Sequence, residues 1–71
     1  METKVIIDGH TVSYEENAKQ GIYYLINQLD AKETTVFFDQ AFSHGFAFFE
    51  DQLGYNYKLI LNGAEYKLIK A

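Results

Sequence analysis

The chain has 71 residues, with ten acidic side chains against six lysines and a net charge of −4. That balance, with no arginine, disfavours direct nucleic-acid binding, which draws its affinity from Lys and Arg on phosphates. With no cysteine and two histidines, neither a disulfide nor a thiolate metal site is available, and no cofactor is expected.

A domain of roughly 60 residues buries only about 60% of the surface its unfolded chain exposes. Residues 1–71 therefore read as one small α+β domain with a core close to the minimum. At the N-terminus, Met1-Glu2-Thr3-Lys4 leads into no apolar signal-type segment, and no apolar run reaches membrane-spanning length. A cytoplasmic location without membrane contact is the expectation.

In chain order, Lys4-Val5-Ile6-Ile7, Asp8-Gly9 and His10-Thr11-Val12-Ser13 predict a hairpin. Asp-Gly suits the positive φ angles of a type I′ turn. The register pairs Ile7 with His10 and Val5 with Val12, on one face. Ser13 and Glu16 have capping-box spacing, which predicts a helix over 14–29. Its apolar stripe is Ala18, Ile22, Leu25, Ile26 and Leu29. Gly21 inside it points to close approach of helix and sheet or to solvent exposure, and Tyr23 and Tyr24 point away from the stripe. Residues 30–33 read as a linker.

From Thr34 onward the composition is β-branched and aromatic, which predicts strands near 35–42, 46–50, 55–61 and 64–70. Gly45, Gly54 and Gly63 recur every nine residues, and Gly54-Tyr55-Asn56-Tyr57-Lys58-Leu59-Ile60 is echoed by Gly63-Ala64-Glu65-Tyr66-Lys67-Leu68-Ile69. The period fits an antiparallel meander and is too short in copies for a solenoid. Taking Asn62-Gly63 as a two-residue turn, 51–54 as a four-residue one and Ser43-His44-Gly45 as a three-residue loop places Phe42, Phe46, Phe48, Tyr57 and Leu59 on one face. The expected fold is an antiparallel sheet, β-β-α-β-β-β-β, with one helix packed on one face. A competing pattern exists: Phe42, Phe46, Phe49 and Leu53 share helical spacing, with Asp39 and Gly54 as caps.

Candidate chemistry is sparse. His10 near Asp8 has no nucleophile at a defined spacing, and Ser43-His44 are neighbours in a turn without a third orienting group. Asp39, Glu50 and Asp51 match no calcium loop, and the glycines form no phosphate loop. No catalytic residue, and no enzyme, is expected.

The aromatic content carries more weight. Phe37, Phe49, Ile60 and Ile69 fall on the sheet face opposite the helix, and with Tyr23 and Tyr24 they make up the expected interaction surface. The function read from this is a non-catalytic protein–protein interaction module, self-associating as a homodimer or bound to another protein. The alternative is an acidic decoy whose Asp8, Glu15, Glu16, Asp30, Glu33 and Asp39 occupy the basic nucleic-acid-binding surface of an enzyme.

Overall fold

The computed structural model describes residues 2–71 and is α+β, with a five-stranded mixed sheet and two helical segments on one of its faces. The strands are β1 (Thr3–Ile7), β2 (His10–Tyr14), β3 (Phe46–Glu50), β4 (Asn56–Asn62) and β5 (Glu65–Lys70). Their order is β1-β2-β5-β4-β3, with β2 and β5 parallel and all other pairs antiparallel. The expectation of a purely antiparallel sheet is thereby corrected. The parallel seam joins the N-terminal hairpin to the C-terminal one, and the helical segments with β3 and β4 make up the long connection between its two strands.

The first hairpin matches its sequence reading: Asp8 and Gly9 have φ of 50° and 82°, and Ile7 pairs with His10 and Val5 with Val12. Ser13 is not a helix cap. It belongs to β2, is buried, and its Oγ donates to the Tyr66 carbonyl at 3.4 Å. The first helical segment starts with a 3₁₀ turn at Glu16–Ala18, continues as α1 (Lys19–Tyr23), and widens into a π-turn at Tyr24–Gln28. Ala18, Ile22 and Leu25 are buried as the stripe requires, but Ile26 is 46% exposed. The i→i+5 bonds of the π-turn rotate residues beyond Leu25 off the regular helical stripe.

The largest departure lies at residues 31–44, expected as a linker and a strand and found as helix α2 (Ala31–His44). Asp30 Oδ1 accepts from the Glu33 amide at 2.9 Å, while Glu33 Oε1 accepts from the Asp30 amide at 3.3 Å. This capping box starts the helix, and Gly45, at φ 89°, ends it. Neither Asp39 nor Gly54 serves as a cap. Thr34, Phe38 and Ala41 form the buried stripe, so helical burial overrides the strand preference of Thr34, Thr35, Val36 and Phe37.

A second correction concerns β3. Phe49 pairs with Tyr57 and Ala47 with Leu59, so Ala47 and Phe49 face the helices while Phe46 and Phe48 do not. The connection contains five residues, Asp51 to Tyr55, and an odd slip in register exchanges the two faces of a strand. The β4–β5 turn also slips, to Gly63-Ala64, and pairs Leu59 with Leu68 and Leu61 with Tyr66. A slip of even parity keeps the same side chains inward. Val12, Leu59 and Leu68 are fully buried at the centre of the sheet, and Phe38, Leu25 and Ile22 close over them.

Candidate functional site: the uncovered face of the sheet

The side of the sheet away from the helices collects the alternate residues of every strand. Among them are Lys4 and Ile6 from β1, Thr11 and Ser13 from β2, Glu65, Lys67 and Ile69 from β5, Lys58 and Ile60 from β4, and Phe46, Phe48 and Glu50 from β3. Phe46 and Ile60 are cross-strand partners, as are Phe48 and Lys58. Phe46 and Phe48 meet edge to face with ring centres 5.3 Å apart. Lys58 Nζ lies 4.9 Å from the Phe46 centre and 5.5 Å from that of Phe48, a cation held over two aromatic rings. Exposure remains high, at 42% for Phe46, 57% for Phe48 and 71% for Ile6.

Charge on this face is ordered toward β1. Lys4 Nζ lies 3.2 Å from Glu65 Oε1, and Lys67 Nζ lies 2.8 Å from Glu2 Oε2. The hydrogen bond within the second pair, reinforced by its charge attraction, holds the Glu2 carboxyl below its ordinary pKa and the Lys67 ammonium above its own. The ion pairs thus run between β5 and the β1 end of the sheet, where Ile6 is also exposed, and the aromatic half lies on β3 and β4.

Of the expected interaction residues, Ile60 and Ile69 do lie on this face, each partly exposed. Phe49 does not: it is 6% exposed on the helix side, packed between Tyr57, Phe37 and Tyr24. Phe37 belongs to α2 and packs against Phe49, so its expected place on the free face is corrected by the same helix. Tyr24 stacks on Phe49 at 5.9 Å, and Tyr23 is exposed on α1, both on the helix side. Phe46 and Phe48 were missed because the turn at 51–55 is one residue longer than the nine-residue period implies.

That turn is built around Asp51, which is buried. Its Oδ1 accepts from the amides of Leu53 at 2.9 Å and Tyr55 at 3.0 Å, and its Oδ2 accepts from the Tyr57 hydroxyl at 2.9 Å. Burial, followed by this contact with a carboxylate, pushes the Tyr57 phenol up to about 12. A cleft of about 260 Å³ borders the turn on the helix side, lined by Gln20, Tyr23, Tyr24, Asn27, Gln28, Asp51, Gln52 and Leu53. The Asp51 oxygens are already engaged there, and Gln52 Nε2 donates to Gln28 Oε1 at 2.9 Å across it.

His10 is an aromatic packing residue, its ring stacked on Phe38 at 4.4 Å and edge-on to Tyr66 at 5.3 Å. His44 sits exposed in the last turn of α2. Among the described residues, no three His, Cys, Asp or Glu side chains converge as metal ligands. Of the carboxylates of the decoy reading, Asp8 and Asp30 border one small cleft, Asp30 and Glu33 are engaged in the capping box, and Glu15 and Glu16 follow the far end of β2. Among the described residues, no helix is long and apolar enough to cross a membrane. No protein-family model, curated protein or solved structure matches the chain.

Proposed function

We propose that this chain is a protein-interaction module that self-associates through the aromatic half of its uncovered sheet face. The observation that carries the reading is the pair of exposed rings of Phe46 and Phe48 beside the half-buried Ile60, adjacent on a face that no helix covers. Contiguous exposed apolar surface on a small domain marks an association site. Aromatic side chains suit that role, because they bring large area at low entropic cost. The same face carries both charge signs, Lys58 and Lys67 with Glu50 and Glu65, so two copies need not repel.

Sedimentation velocity across the micromolar range tests the reading. Self-association is expected, and it should be weakened by Phe48→Glu or Ile60→Glu. A species that stays monomeric at high micromolar concentration removes it.

A further inference from the structure

We propose that β3 is the contact strand, pairing antiparallel with the β3 of a second copy about a twofold axis through Phe48. The inference rests on the self-association reading and specifies which part of the face makes the contact. Two five-stranded sheets would become one continuous sheet, with both aromatic halves side by side.

The two edges of the sheet differ. β1 carries Lys4 within its run, a charge of the kind that blocks edge-to-edge pairing. β3 reads Phe46-Ala47-Phe48-Phe49-Glu50, with no lysine, proline or bulge, and its residues pair one to one with β4. Among the described residues, no backbone hydrogen bond joins Phe46–Glu50 to any element other than β4. Its outer row of amides and carbonyls is therefore open to another strand.

A twofold through Phe48 is the register that overlaps the whole strand. It sets Phe48 against its own copy, Ala47 against Phe49, and Phe46 against Glu50. Small then opposes large on the helix side, and the two Phe48 rings meet on the free side. It also brings charge together. Lys58 Nζ stands 4.9 Å from the Phe46 ring, so the second copy's Glu50, arriving opposite Phe46, meets an ammonium. Among the described residues, neither Glu50 nor Lys58 has an ion-pair partner within its own chain. A face-to-face stack would instead trap Lys58 between two apolar layers, where desolvation costs heavily. Edge pairing leaves it at the surface beside a carboxylate.

Because the chain has no cysteine, single-cysteine variants report position directly. Directly opposed residues on antiparallel strands have Cβ atoms about 5 Å apart. Phe48→Cys should therefore give a covalent dimer under mild oxidation or with a short bis-maleimide. Ile69→Cys, two strands inward, would lie roughly 20 Å or more from its mate and should not. As Phe48→Cys also removes an aromatic contact, a charge swap provides a second measurement. Glu50→Lys should weaken dimerisation several-fold, and adding Lys58→Glu should restore it. A dimer in sedimentation in which Ile69→Cys cross-links as readily as Phe48→Cys, or in which the double swap is no better than the single, overturns the edge contact while self-association stands. A monomer throughout overturns both.

Discussion

Gly21 rests directly on the ring of Tyr57: a Cβ placed on residue 21 would lie 2.8 Å from Tyr57 Cδ1 and 3.0 Å from Leu68 Cδ2. The absence of a side chain on α1 thus sets how closely the helix approaches the sheet. Tyr57 cannot retreat, because it is 1% exposed and its hydroxyl is bound to Asp51. Gly21→Ala would gain about 1 kcal/mol in helix propensity. The forced displacement should cost about 1–3 kcal/mol. A net loss of stability in urea unfolding is expected, opposite in sign to the same change in an exposed helix. A more stable variant would mean that the helix can lift without loss.

The Tyr57–Asp51 pair makes stability sensitive to alkali. In the unfolded chain the phenol titrates near 10. In the folded chain it is raised to about 12, by burial first and then by the Asp51 carboxylate. The folded state therefore holds its proton more tightly than the unfolded state. This contribution is complete below about pH 10 and is lost as pH rises from there through 12. Tyr57→Phe should remove that part of the alkaline slope, while also lowering neutral-pH stability by about 1–3 kcal/mol because Asp51 Oδ2 loses its donor. Denaturant midpoints for both proteins from pH 8 to the alkaline limit check both effects; parallel curves would refute the linkage.

Neighbouring phenylalanines in β3 should behave differently. Phe48→Glu changes a ring 57% exposed and should leave helix content intact while weakening self-association. Phe49→Glu puts a carboxylate into the packing of Tyr24, Phe37 and Tyr57 and should unfold the domain. Circular dichroism with sedimentation separates the two outcomes. A folded Phe49→Glu protein would show the register of β3 to be wrong.

Thr34 is the buried tie between the π-turn and α2. Its Oγ1 lies 3.2 Å from the Leu25 carbonyl and 3.0 Å from that of Asp30. Thr34→Val keeps shape and volume but leaves the Leu25 carbonyl without this donor. A loss of about 1–3 kcal/mol is expected in urea unfolding, with no change in association. Thr35→Val, whose hydroxyl meets only the Ala31 carbonyl at an exposed position, should change little.

Local chemistry was enough to read several parts of the molecule from the sequence. Asp8-Gly9 dictates its own turn, and with it the pairing of Ile7 with His10. The spacing of Ala18, Ile22 and Leu25 identifies the helix and its inward face, and alternation in β4 and β5 survives an even slip at Gly63. Tertiary structure decided the remainder. Residues 34–37 have strand-forming side chains, yet Thr34, Phe38 and Ala41 bury together only as a helix capped by Asp30 and Gly45. The sides of β3 depend on one extra residue in a turn shaped by Asp51, whose third partner, Tyr57, lies in the next strand. Side chains alternate with a period of two, so that single residue moved Phe49 inward and Phe46 and Phe48 outward. The exposed aromatic face was therefore legible as a property of the sheet, but its membership was set by contacts distant in the chain.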